Sequence, residues 1–155
     1  MKTYTITKND LDKDNFYVGE TDLTNFDGQI ESDPDLGTVK FKDGLKAKFG
    51  IWFDRGSGIK AGWEIEAGGE IKAGAGIKAG SGIAARTISA KLHILAGTCI
   101  WKIPTGIETE IRVEKVLSGT ISHGTLVLTK PKKINVSCEG KIVEIDGRKY
   151  KLTEV

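Results

Sequence analysis

Two histidines, His93 and His123, are the side chains best suited to acid-base chemistry at neutral pH. His93 stands one residue before an isoleucine of a repeat and is expected to face outward, with no acidic residue at a fixed spacing from it. His123 lies in Ser-His-Gly, which favours a turn. The chain has no nucleophile elbow, phosphate-binding loop, zinc-protease motif or paired carboxylates. We therefore predict a non-enzymatic protein that needs no metal or cofactor.

Lysines form the second chemically distinctive set. Lys60, Lys72 and Lys78 share one position of a repeated phrase and could contact phosphates or an acidic protein. Glutamates alternate with them along the chain, which favours a mixed, solvated face. A second basic cluster has fewer acids nearby and is the more credible surface for an anion; it comprises Lys130, Lys132, Lys133, Arg148 and Lys149.

The tryptophans are candidate anchors for a partner, because aromatic side chains are enriched at interface hot spots. Trp52, Trp63 and Trp101 are the three in question, and the alternative is that flanking segments cover them. The two cysteines, Cys99 and Cys138, lack the CxxC spacing of zinc or redox sites. We expect both to be reduced and buried.

Residues 58–86 form a repeat, "GIKAGWEIEAGGEIKAGAGIKAGSGIAAR". It contains Lys60, Trp63, Lys72 and Lys78 of the candidates above. A period of six is a multiple of the strand period of two and is incompatible with a helix, which the glycines also disfavour. We predict that each isoleucine points inward, that the next residue faces water, and that Ala-Gly bends the chain with glycine at positive φ. The apolar positions are Val39, Leu45, Ile51, Ile59, Ile65, Ile71, Ile77, Ile83, Ile88, Ile94 and Ile100.

The repeat predicts an all-β fold, a short β-helix (β-solenoid) with a hexapeptide period. Three hexads per triangular coil would stack residues 18 apart, so that Lys60 lies beneath Lys78. We expect an acidic N-terminal cap over residues 1–36, the solenoid over 37–103, and an antiparallel β subdomain over 104–155. The last segment contains Asp146-Gly147, a strong signal for a two-residue hairpin turn.

Composition limits the classes of function. The 155 residues carry a net charge of +2, which gives no global field for nucleic acid or a membrane surface. Residues 1–36 contain nine acidic residues and three lysines, so an acidic N-terminal segment precedes a basic remainder of the chain. No leader segment and no apolar run of about 18 residues appear, which predicts a soluble protein with no membrane contact.

The phrase Ile-Lys-Ala-Gly resembles hexapeptide-repeat β-helix proteins, and among them IKAG-repeat proteins of Firmicutes phages and prophages. The resemblance covers roughly residues 37–103, although Trp63 stands where the hexapeptide pattern has a small inward residue. It implies a phage-encoded inhibitor of a bacterial defence system, anti-CRISPR-like, that acts by steric contact in the host cytoplasm. The expected partner is a host protein or ribonucleoprotein complex rather than nucleic acid read directly. Four alternatives stay open: a self-assembling structural solenoid, a homo-oligomer, a hexapeptide-type acyltransferase and a binder of small nucleotides.

Overall fold

A computed structural model describes residues 1–98, 110–130, 142–145 and 148–151, the last two ranges by their backbone. The chain winds into a β-solenoid with three faces, and successive coils pair through parallel strands. The predicted all-β solenoid class is therefore confirmed. Within the described residues, no helix has the length and hydropathy needed to cross a membrane.

Each face is a stack of short strands from successive coils. The first face consists of β1 (Thr3–Ile6), β2 (Gln29–Ser32), β5 (Ile51–Phe53), β8 (Glu70–Ala73) and the beginnings of β11 (Thr87–Leu95) and β13 (Lys115–His123). The second consists of β3 (Gly37–Phe41), β6 (Ser57–Ala61), β9 (Ile77–Ala79) and the ends of β11 and β13. The third consists of β4 (Leu45–Ala47), β7 (Ile65–Ala67), β10 (Ile83–Ala84), β12 (Glu110–Val113) and β14 (Thr125–Leu128).

The isoleucines form the core, as the repeat predicts. On the second face Ile59 pairs with Ile77, and Ile77 pairs with Ile94 in the next coil. All three side chains are at most 1% exposed. In five hexads the alanine two residues after the apolar position also points inward and is buried rather than forming the bend; these are Ala47, Ala61, Ala67, Ala73 and Ala79.

Four glycines of the regular hexads serve close approach between coils, and the positive φ predicted for them is wrong. A Cβ on Gly62, Gly68, Gly74 or Gly80 would overlap a carbonyl oxygen of the coil below. Only glycine lets two backbones come this close at the corner. The prediction holds at Gly97, which ends the Ile-Leu-Ala-Gly form of the phrase and has positive φ. The other residues at positive φ are Asn15, Asp35, Gly37, Gly56, Gly119 and Gly124.

The N-terminal segment is a coil of irregular shape. β1 pairs in parallel with β2, Phe16 forms a parallel bridge with Lys40, and Phe26 forms one with Ala47. The segment therefore contributes one short contact to each face. Tyr4 packs edge to face with both Tyr17 and Phe26 beneath the first regular coil, with ring centroids 6.2 Å apart in each pair. β2, which pairs with β5 of the next coil, begins at Gln29, before the expected boundary between the N-terminal cap and the solenoid at residue 36.

The solenoid continues beyond the repeat. The expectation of antiparallel strands directly after residue 104 is wrong, because β12 and β14 pair in parallel and extend the third face. Ile111 pairs in parallel register with Ile83 and so continues the inward column of the third face. Antiparallel pairing is found between β15 (Ile142–Ile145) and β16 (Arg148–Lys151), as the hairpin signal predicts. Cys99, Ile100 and Cys138 lie outside the described residues.

Candidate binding surface

The second face carries a lysine ladder, which we define as Lys40, Lys60 and Lys78. Lys40 pairs in register with Lys60, and Lys60 pairs with Lys78. Each lysine follows an inward residue of its strand, so the alternation of a β-strand turns it outward. Adjacent strands are about 4.8 Å apart, and the backbone positions of the three lysines therefore span about 10 Å.

A groove of about 320 Å³ runs along the ladder. Its floor is the narrow corner at Ala61, Gly62 and Gly80, where the glycines place no side chains. Phe16 and Lys42 lie at one end of the groove and Thr98 at the other. Four ammonium groups therefore border one concave strip of surface.

The lower end of the ladder is anchored by the N-terminal coil. Lys40 Nζ donates a hydrogen bond to the carbonyl oxygen of Asp14 at 2.8 Å and lies 5.3 Å from the ring centroid of Phe16. Lys60 is exposed and Lys78 is half-buried. Within the described part of the chain, no carboxylate lies at ion-pair distance from Lys60 or Lys78. The ladder's charge is thus not neutralised by the residues described around it.

The third face shows how the same scaffold neutralises a lysine. Lys46 and Glu66 occupy neighbouring outward positions and form an ion pair of 2.9 Å. The hydrogen bond from Lys46 to Glu66 raises the pKa of Lys46 above its usual value. Like charges directly opposite each other on a sheet are destabilising. The lysine ladder carries that cost, which the third face avoids.

The predicted site residues are distributed over different faces. Lys72 lies on the first face, where it pairs with Trp52, so it is separated from Lys60 and Lys78. Trp52 is 42% exposed and borders a second groove with Glu31 and Lys72. The predicted coil of three hexads is confirmed for Lys60 and Lys78, and the same coil places Lys72, which is 12 residues after Lys60, on a different face.

Trp63 is a corner residue and not an inward one. Its amide donates to the carbonyl oxygen of Asp43 at 3.4 Å, and its own carbonyl accepts from the amide of Ser81 at 3.2 Å. The side chain is 49% exposed, so its bulk does not enter the core. It follows Gly62 in the chain but is not among the residues that line the ladder groove.

The second basic cluster is described only in part. Lys130 is exposed just after β14, and Arg148 and Lys149 are described by their backbone in β16. Trp101, Lys132 and Lys133 lie outside the described residues.

Lys40 is a ladder residue that sequence reasoning missed. The sequence feature that could have identified Lys40 is its distance of 20 residues from Lys60. This distance equals one regular coil of 18 residues plus the two-residue insertion before Ser57. The register Lys40–Lys60 shows that this longer coil still returns the chain to the same face.

The histidines lie on neighbouring strands at the exposed surface. His93 Nδ1 is 2.7 Å from Ser122 Oγ, and His123 pairs with Leu95. His93 faces outward as predicted, whereas His123 ends β13 rather than occupying a turn. Among the residues that the structure describes, no group of three or more His, Cys, Asp or Glu side chains is placed to hold a metal ion.

Comparison with known proteins gives no relative from which to transfer a function. No protein-family model, curated protein or solved structure matches this chain. The function is therefore inferred from the chain's own residues.

Proposed function

We propose that this chain is a non-enzymatic binding protein that occupies an anionic site on a host macromolecule through its second face. By its resemblance to phage-borne IKAG-repeat proteins, we further propose that it inhibits a bacterial defence system, anti-CRISPR-like, in the host cytoplasm. The observation that carries the binding role is the lysine ladder, a row of stacked cations for which the described residues supply no carboxylate.

Rigidity supports this role. The strands beneath the ladder are bonded to coils on both sides, and no buried side-chain polar atom in the described residues lacks a partner. A surface that is already ordered loses little conformational entropy on binding. The ladder therefore presents the backbones of its lysines at fixed spacing, and the exposed Trp63 at the adjoining corner offers an apolar anchor.

The experiment compares two doubly substituted proteins of equal charge. Lys60→Glu with Lys78→Glu reverses the ladder, and Lys72→Glu with Lys91→Glu reverses two exposed lysines outside it. Tagged wild-type protein is used to capture a partner from a bacterial lysate, and the affinity of each variant for the purified partner is then measured. The ladder variant should bind at least about tenfold more weakly, which corresponds to about 1.4 kcal/mol. The control variant should stay within about twofold of the wild type.

The inhibitor role has its own test. Expression of the protein in a bacterium that carries an active defence system should restore plating of a phage that the system restricts, and the ladder variant should not restore it. If wild-type protein leaves plating unchanged across the defence systems tested, the inhibitor role is refuted. If both variants bind the partner like wild type, the ladder is not the contact surface.

A second candidate function, self-assembly, is favoured by the far end of the solenoid. Leu126 and Leu128 occupy inward positions of β14 but are 41% and 64% exposed. Strand edges and apolar ends promote end-to-end association of solenoids. Light scattering after size exclusion should then show particles that grow with protein concentration, and Leu128→Glu should abolish that growth. A monomer at all concentrations would exclude this function.

A further inference from the structure

The lysine ladder and its groove also indicate which anion fits. We infer that the groove binds a compact group of two or three linked phosphates, with Lys42, Lys60 and Lys78 contacting the phosphate oxygens. This inference rests on the proposed role of the ladder as the contact surface. It adds the chemistry of the ligand, which that role leaves open.

The shape of the surface favours a compact anionic group that projects into a groove over carboxylates on a flat surface. The lysines border a groove whose floor is made by Gly62 and Gly80, so charge surrounds a concave space of about 320 Å³. Concave sites of about 300–1,000 Å³ are typical of small ligands. A carboxylate on a flat protein surface would reach the outer ammonium groups but would leave the groove empty.

The chemistry of lysine favours phosphate. Each ammonium group is a compact charge with three donors on a flexible stem, and lysine binds phosphate in this way in many proteins. Strand spacing places neighbouring lysines about 4.8 Å apart at the backbone. Oxygens of one phosphate can therefore be shared by two lysines, and linked phosphates can continue the contact along the ladder.

The ends of the ladder limit the length of the ligand. At the lower end Lys40 is held by the carbonyl oxygen of Asp14, in the acidic N-terminal coil. At the upper end the next outward position after Lys78 is Leu95, which carries no charge. Proteins that bind single-stranded nucleic acid follow about 4–16 nucleotides with a continuous basic groove. A strip of about 10 Å is too short for such a track.

The test is calorimetric titration of the purified protein with inorganic triphosphate, with adenosine triphosphate and with a ten-nucleotide oligothymidine. Inorganic triphosphate should bind with one site per chain, and Lys60→Glu with Lys78→Glu should weaken it at least about tenfold. The Lys72→Glu, Lys91→Glu protein should bind it within about twofold of wild type. Bound triphosphate should also raise the melting temperature of the wild type, because a ligand specific for the folded state stabilises it.

The ligands distinguish the sources of phosphate. Equal affinity for both triphosphates assigns recognition to the phosphates alone, and tighter binding of adenosine triphosphate identifies a nucleotide as the source. Tighter binding of the oligothymidine than of either triphosphate would overturn the inference in favour of a nucleic-acid backbone. Absence of triphosphate binding would also overturn it. Loss of the host partner by the ladder variant would in that case still support the proposed function.

Discussion

Gly68→Ala tests whether close approach between coils is the reason for glycine in the repeat. Gly68 is at a corner between the third and first faces, away from the lysine ladder. A Cβ on this residue would overlap the carbonyl oxygen of Lys48 in the coil below. The backbone of Gly68 is not at positive φ, so conformational preference alone predicts that alanine stabilises the protein by about 0.4–1 kcal/mol. The structure predicts the opposite sign.

The size of the effect follows from the bonds at this corner. Relief of the overlap requires the two coils to separate, which weakens the bond from the Gly68 amide to the Ala47 carbonyl oxygen at 3.1 Å. It also weakens the bond from the Gly69 amide to the Phe49 carbonyl oxygen at 2.6 Å. Gly68 is exposed and Gly69 is half-buried, so water can replace the lost partners. At about 0.5–1.5 kcal/mol net for each hydrogen bond, the loss of both gives roughly 1 to 3 kcal/mol. Urea unfolding followed by circular dichroism measures the change.

Gly76→Ala is the matched control for this measurement. Its Cβ would lie 3.2 Å from the carbonyl oxygen of His93, a contact that small adjustments relieve. We expect its stability to differ from wild type by less than about 1 kcal/mol. A Gly68→Ala protein as stable as wild type, with an unchanged denaturant slope, would refute close approach as the reason for glycine.

Three further predictions concern charge, pH and the core. Lys60→Glu should raise the melting temperature at low salt and lose this gain at high salt, because it replaces two like-charge contacts on the ladder with attractive ones. Burial raises the pKa of Asp10, but hydrogen bonds from the amide and hydroxyl of Thr7 outweigh it and hold the pKa below 3.8. Asp10→Asn should therefore cost about 1 kcal/mol near neutral pH, and urea titrations should show the difference from wild type shrinking as pH falls below about 4. Ile71→Ala should cost about 2–5 kcal/mol in urea unfolding, since Ile71 is fully buried; a cost below about 1 kcal/mol would contradict the stacked core.

The sequence predicts two of the three residues of the lysine ladder. Lys60 and Lys78 are recognisable as stacked residues because their spacing of 18 equals three hexads. Lys72 shares their position in the phrase, but its spacing from each of them is not a whole coil of three hexads. Since each hexad turns the chain onto the next face, Lys72 lies on the first face instead. The Glu66 side chain, which follows the same pattern along the chain, is on the third face and neutralises Lys46 there.

The role of glycine depends on a contact between coils that no local pattern reveals. The repeat indicates a corner at each Gly, but two explanations predict glycine there, a left-handed backbone and a close approach. Only the position of the Lys48 carbonyl beneath Gly68 distinguishes them. The same limitation affects β12 and β14, whose alternating patterns suit parallel and antiparallel strands equally.

The sequence by itself determined the all-β class, the inward isoleucine columns and the outward lysines, because the alternation of a strand is a local property of the backbone. The tertiary structure decided which outward residues become neighbours. Coil length, set by insertions such as the one before Ser57, fixes the register between residues about 20 apart. The lysine ladder exists because that register brings Lys40, Lys60 and Lys78 onto one face.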